Sequence, residues 1–471
     1  MAISGGVAEG APVSVAGQLR QGRGAVTAQF GGPLLLGALS VALLTQGAYY
    51  PRAQLYAGAL VTAALFVVPD LTRTSGRDRV LVYAISGLAG WAVIDAVIHG
   101  DPRPAVPYLV LLIGVAAVLI MCGLVDDAAR GLLVFGLIGC GVLIAALGWL
   151  GLALHLSRWT WQGQGLWRIS STLTYPNATA AVLAMLALVS VALLTETPRS
   201  VPLLLATTVL LTGLVGTLSR AGLLALSLGG LVLCAVAGWR VVVRIAACPV
   251  AGAAVAAIGL VPAMTASTPQ PAAAVLALGA GLAVSVTAAV IRPAGVAVGG
   301  VVLLMLVLGG IVVRGAIGTI SGARLTVADP ERSASFQAAV EVFKHHPVLG
   351  AGPSLPSLTL RSQAGSSVYR YAHNEYLQVL AELGLIGGLL LIGLLALLLR
   401  RLLRALRNGG ALAAGALAAT TALTVHAGFD FVWHIPAIPL LAAALIGLAS
   451  PEGSASGLTK RAVEISGKES A

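Results

Sequence analysis

Charged residues are scarce in this sequence: 10% of its 471 residues are Asp, Glu, Lys or Arg, where a soluble domain carries about a quarter. That shortage excludes an ordinary soluble domain, because too few charges remain to cover a water-facing surface. Hydrophobic residues make up 58% of the chain and the mean hydropathy is +0.96, the composition of a polytopic membrane protein. Cysteine is equally sparse. Cys122, Cys140, Cys234 and Cys248 lie in or beside apolar runs without ligand-like spacing, which argues against a disulfide framework or a zinc site and for small core residues. No Walker-type phosphate loop is present. The net charge is +11, but the basic residues are dispersed between apolar runs, as topology signals and phosphate contacts are; nucleic acid is not an expected partner.

What the chain has is apolar runs of about 17 to 25 residues without period-two alternation, so they span as helices and not as barrel strands. The expected fold class is an all-α polytopic membrane protein with about 14 (12 to 14) transmembrane helices and one large external loop carrying short helices. Residues 1–30 read as a cytoplasmic tail, and about eleven spans occupy 31–313, the last of them at 294–313. The external loop runs over 314–373, about three further spans occupy 374–450, and 451–471 forms a cytoplasmic tail. Arg400, Arg401, Arg404 and Arg407 form the densest basic cluster and should be cytoplasmic. On that orientation all seven histidines fall at or near the external face, where imidazole suits proton transfer.

The loop and the helix after it concentrate the polar side chains. Phe336, Val340 and Phe343 recur at helical spacing and predict a short amphipathic helix, opened by Arg332 and ended by Pro347, Gly350 and Gly352. A lid resting on the membrane surface would show the same pattern. In His373-Asn374-Glu375, Asn374 suits an N-cap and Glu375 the first turn, so capping alone accounts for both. His373 stands just outside the helix, where a base can reach the hydroxyl of an external substrate. Glu382 shares a helix face with Glu375, about 10 Å deeper, and serves either function or a structural hydrogen bond.

Three further fragments belong to the same side: Tyr175-Pro-Asn177 with Arg168 upstream, Ser219-Arg220-Ala221, and the His426 to Pro436 connection containing Asp430. Arg220 alone reads as a snorkelling anchor, and Arg332 alone could face either water or a substrate phosphate. Together, Arg168, Arg220 and Arg332 at one mouth suit bidentate phosphate binding. Asp329-Pro-Glu331 offers too few carboxylates to define a metal site, and none is expected.

These fragments, with Pro347-x-x-Gly350-x-Gly352 and the Glu382-x-Gly384-x-x-Gly387 that follows His373-Asn374-Glu375, resemble the O-antigen ligase and polymerase family of membrane glycosyltransferases across roughly residues 165–450. The resemblance implies an enzyme of the bacterial cytoplasmic membrane, with its active site on the external face and no metal or other cofactor. It would pass a glycan from an undecaprenyl-diphosphate-type lipid to the hydroxyl of a glycan or glycolipid acceptor, inverting the anomeric carbon. On the matching positions, His373 is the general base, and Arg220, with Arg332 and Arg168, holds the diphosphate and its developing charge. Tyr175, Asn177, Asn374, Glu375, Glu382, His426 and Asp430 support them. Tyr175-Pro-Asn177 departs from the family's fuller Asn-Pro-Asn, and the span count leans toward polymerase-like members. Ligase, polymerase and protein O-oligosaccharyltransferase all remain open. The alternative from another class is a multi-span transporter or a lipid-linked oligosaccharide flippase, which would place polar groups at mid-membrane and break helices in two similar halves.

Overall fold

The computed structural model describes residues 15–67, 76–163, 165–290, 330–362 and 365–449. Five helices come first, α1 (Val15–Leu44), α2 (Pro51–Val67), α3 (Gly76–Ile98), α4 (Val106–Leu124) and α5 (Asp127–Leu154), followed by a hairpin of β1 (Thr160–Gly163) and β2 (Leu166–Ile169). Next are α6 (Pro176–Glu196), α7 (Val201–Gly216), α8 (Arg220–Ala237), α9 (Trp239–Thr265) and α10 (Pro271–Val290). After α11 (Pro330–His345), a second hairpin of β3 (Leu358–Ser362) and β4 (Gly365–Tyr369) leads into α12 (Glu375–Arg407), α13 (Ala411–Ala427) and α14 (Ala437–Ala449).

Among the described residues, eight helices are long and apolar enough to cross a membrane, and four further apolar helices are shorter. The chain is a multi-pass, helical membrane protein. Three details differ from the sequence reading. Residues 1–30 were expected as a loose tail, but α1 is already helical from Val15, where Ala, Gln, Leu and Arg are good helix formers. The connections contain two short hairpins beside the expected helices. The span expected at 294–313, the start of the loop at 314–329 and the C-terminal tail lie outside the described residues.

α6 is apolar on every side and is accordingly the central helix, with 89% of its apolar window buried. Pro176 occupies its first turn, where a missing N–H costs nothing. α7, α8 and α13 pack around it. Small residues allow the close approach: a Cβ at Gly229 of α8 would run into Leu188 of α6 and the carbonyl of Ala418 in α13. α9 pairs with α10, α14 packs on α4, and α12 lies against α3, α11 and α13.

One irregularity shapes the functional end. α12 breaks at Gly384, whose φ of 61° and ψ of −162° only glycine adopts readily. The freed backbone groups find partners in the 347–352 turn: Ala351 N–H donates to Ala381 O at 2.9 Å, Gly352 N–H to Glu382 O at 3.0 Å, and Leu385 N–H to Pro347 O at 2.9 Å. Trp91 Nε1–H donates to Leu383 O at 3.0 Å. A Cβ at Gly350 would strike the Glu382 carbonyl, and one at Gly384 the Val348 carbonyl. The Pro-x-x-Gly-x-Gly segment and Gly384 are therefore two halves of one backbone clasp, which keeps a helix break inside an apolar bundle fully bonded.

Candidate functional site

The N-termini of α6, α8, α11 and α12 meet the C-termini of α7 and α13 at one end of the bundle, joined by the bonds described below. The residues two positions ahead of three of these helices, Thr174, Leu218 and His373, have left-handed backbone with φ of 59°, 50° and 50°. None is glycine, so each turn stores about 1 kcal/mol or more of strain. That geometry reverses the chain sharply and leaves Tyr175, Arg220 and His373 beside the helix mouths. Ser219 caps α8 by accepting from Gly222 N–H at 3.1 Å, and Asn374 caps α12 by accepting from Leu377 N–H at 3.1 Å.

Asp430, in the connection between α13 and α14, is fully buried and organises this end. Its Oδ1 accepts from His373 Nδ1–H at 2.9 Å and from Phe431 N–H at 2.9 Å. Its Oδ2 accepts from Tyr175 O–H at 2.7 Å, from the Asn177 amide, and from Arg332 at 3.4 Å. Burial alone would raise the Asp430 pKa, but the hydrogen bond from His373 and the charge of Arg332 outweigh it and bring it down to about 2. Burial, and then the charge of Asp430, push the Tyr175 hydroxyl well above its ordinary pKa, so it stays a donor. Since Nδ1 of His373 carries the proton toward Asp430, Nε2 is the basic nitrogen.

The other expected residues divide. Arg332 also donates to Phe429 O at 2.8 Å, tying the start of α11 to the α13–α14 connection. Arg168 is buried, donates to Thr217 O at 2.8 Å and to Asn177 Oδ1 at 3.4 Å, and lies over the Trp161 ring at 5.4 Å. It thus holds the turn that carries Arg220 and joins it to the Asn177–Asp430 network. Arg220 itself is exposed at the first position of α8. Asn374 anchors α12 by donating to Gly428 O at 2.9 Å.

Glu375 and Glu382 are both buried on α12 and both act as acceptors for other segments. Glu375 takes the backbone N–H groups of Trp433 and His434 and stands 3.0 Å from His434 Nδ1. Burial lowers the pKa of His434, yet the adjacent Glu375 carboxylate more than compensates and raises it overall. Glu382 accepts from Tyr108 O–H at 2.7 Å, Gln378 Nε2–H at 2.6 Å and Ser354 N–H at 2.9 Å. Its place is the clasp under the 347–355 turn. His426 is fully buried, and neither ring nitrogen has a hydrogen-bond partner among the described residues.

Beside His373 opens a cavity of about 560 Å³, within the range of small-ligand sites. Beyond Tyr175 and His373, its walls were not among the residues singled out in the sequence. Tyr49 and Tyr50 come from the turn between α1 and α2, and Tyr369, Arg370 and Tyr371 from the end of the second hairpin. Tyr49 and Tyr371, 322 residues apart, share a hydrogen bond at 2.9 Å. In the sequence, a tyrosine pair closing an apolar run reads as an interfacial belt, and no spacing links it to Tyr371. Among the described residues no three histidine, cysteine or carboxylate side chains gather closely enough to hold a metal ion.

A family model described as O-antigen ligase matches residues 270–392. The matched stretch includes Arg332, the 347–352 turn, His373-Asn374-Glu375, Glu382 and Gly384; Arg168, Arg220 and Asp430 lie outside it. No curated protein matches the chain. The family match supports an O-antigen ligase or polymerase-like family, and with it a membrane glycosyltransferase-type function in polysaccharide biosynthesis.

Proposed function

We propose that this protein transfers a glycan from an undecaprenyl-diphosphate-type lipid to an acceptor hydroxyl on the external face of the bacterial cytoplasmic membrane. His373 Nε2 removes the acceptor proton as the acceptor oxygen forms its bond to the anomeric carbon from the side opposite the lipid. The bond from that carbon to the diphosphate breaks, the polyprenyl diphosphate leaves with the electron pair, and the anomeric centre inverts. Asp430 holds the imidazole in the tautomer that leaves Nε2 basic and stabilises the imidazolium that results. Arg220 and Arg332, together with the positive ends of α6, α8 and α12, take the charge that grows on the leaving diphosphate. Arg168 acts through the turn it holds. The observation that carries this reading is the 2.9 Å bond from His373 to a buried Asp430, with His373 lining the cavity.

A carrier reading would draw on the break in α12. The backbone groups freed at that break bond to the 347–352 turn and Trp91, whereas a carrier turns such groups toward a substrate at mid-membrane. The test is purified protein in liposomes with an undecaprenyl-diphosphate-linked oligosaccharide, with products resolved on a gel. Wild type runs beside His373→Ala and Arg220→Ala, with EDTA present. A ladder in wild type that both variants lose identifies a metal-independent polymerase, and a single shifted band on an added acceptor identifies a ligase. Movement of the lipid across the bilayer without any transfer, once native donor and acceptor have been supplied, would replace the enzyme by a carrier.

A further inference from the structure

Five of the nine tyrosines, Tyr49, Tyr50, Tyr175, Tyr369 and Tyr371, line the cavity beside His373. A belt of interfacial anchors would spread them around the rim of the bundle; here three distant segments bring them to one hollow. The back wall is a packed stack. Phe431 lies against Tyr175 with ring centres 5.0 Å apart and against Tyr371 at 4.7 Å. Arg370 covers Tyr49 at 5.7 Å and Tyr371 at 5.4 Å. The hydroxyls of Tyr49 and Tyr371 are bonded to each other, so these rings are held in place. Tyr50 is different: it is 52% exposed, set edge-on to Tyr49. With the half-buried Tyr369, it leaves an aromatic surface open to whatever enters.

We propose that this cavity is the subsite for the acceptor sugar, with Tyr50 and Tyr369 stacking on a pyranose ring and thereby determining which acceptor is used. The inference rests on His373 being the base of the proposed reaction. A pyranose presents a face of C–H bonds with partial positive charge, which suits the negative face of an aromatic ring, and a rim of hydroxyls, which suits phenols. Two features make the occupant the acceptor and not the donor diphosphate. His373, which must meet the acceptor hydroxyl, is part of the cavity wall. The arginines assigned to the diphosphate are not: neither Arg220 nor Arg332 is among the described residues lining it, and the one arginine that is, Arg370, lays its guanidinium across two wall rings.

The test separates binding from transfer. Wild type, His373→Ala, Tyr50→Ala, Tyr50→Phe and Tyr369→Ala are placed in nanodiscs and titrated with the oligosaccharide of the host's own cell-surface polysaccharide, released from its lipid by mild acid. Saturation-transfer NMR reads binding, and the same glycan serves as acceptor in the transfer assay. Wild type and Tyr50→Phe, which keeps the ring, should bind alike, and His373→Ala should still bind while losing transfer. Tyr50→Ala and Tyr369→Ala should bind about tenfold more weakly and raise the KM for acceptor by the same factor, while the KM for lipid-linked donor stays put. Equal binding by all five proteins, or none by wild type, overturns the subsite. Transfer by wild type with an acceptor KM that ignores both tyrosines also overturns it and leaves the proposed enzyme standing. Tyrosine-dependent binding without any transfer overturns the acceptor role together with the enzyme reading and leaves only a sugar-binding cavity. Size-exclusion profiles check that each variant is folded, and Tyr50→Phe keeps the ring if Tyr50→Ala does not fold.

Discussion

Replacing Asp430 by asparagine changes one atom and should disable His373. The aspartate faces donors on both oxygens: His373 and Phe431 on Oδ1, and Tyr175, Asn177 and Arg332 on Oδ2. An asparagine has one acceptor oxygen and one NH₂ group. If its NH₂ took the Oδ2 position it would confront three donors, so the amide oxygen should stay there and the NH₂ should turn toward His373. Nδ1 must then accept, the ring proton moves to Nε2, and the proposed base is lost. Activity should fall by about 10²- to 10⁴-fold, the range a positioned base contributes. Stability should fall as well. The Asp430 pKa lies at about 2 in place of 3.8, and that difference is equivalent to about 2 to 3 kcal/mol. Because the folded pKa is the lower one, this stabilisation is present above pH ~4 and disappears as the pH falls toward ~2. The assay is initial rate of transfer beside thermal midpoint in detergent, for wild type and Asp430→Asn at neutral pH. A folded Asp430→Asn protein that has lost less than about tenfold in rate would refute the tautomer argument.

Three further outcomes follow from the same geometry. Gly384→Ala puts a Cβ into the Val348 carbonyl at a backbone conformation unsuited to any other residue; it should cost about 3 kcal/mol or more, seen as a lower thermal midpoint or loss of monodisperse protein. Glu382→Ala strands the buried donors of Tyr108 and Gln378 and loosens the 347–355 turn. It should cost about 2 to 4 kcal/mol, with Glu382→Gln milder, by the same thermal measurement. His434 has its pKa raised in the folded protein by Glu375, so its contribution is complete below its ordinary 6.5 and is lost as the pH rises through the raised value. The thermal midpoint should therefore decline from near pH 6.5 upward, and Glu375→Gln should flatten that slope.

The sequence placed the helices and named much of the polar end, for reasons local to the chain. Apolar run length sets a span, and the expected segments at 177–195, 201–217 and 410–428 correspond to α6, α7 and α13 because hydropathy acts segment by segment. Asn374 could be read as a cap because capping involves only the next turn. Partnerships across the chain were not legible. Capping and helix dipole accounted for Glu375 in the sequence, yet its carboxylate fastens Trp433 and His434 of another connection. Arg168 looked like one of three phosphate ligands and proves buried in the protein's own network.

The sequence by itself thus determined a multi-pass helical bundle, a histidine at a helix mouth and the fragments that accompany it. Only the tertiary structure decided that Asp430 is the partner of His373, that Gly350 and Gly384 form a single clasp, and that Tyr49 meets Tyr371 across 322 residues. Hydrophobicity and capping depend on neighbours within a turn or two and are written in order along the chain. A hydrogen bond between distant segments depends on how helices pack around α6, and no local pattern records that.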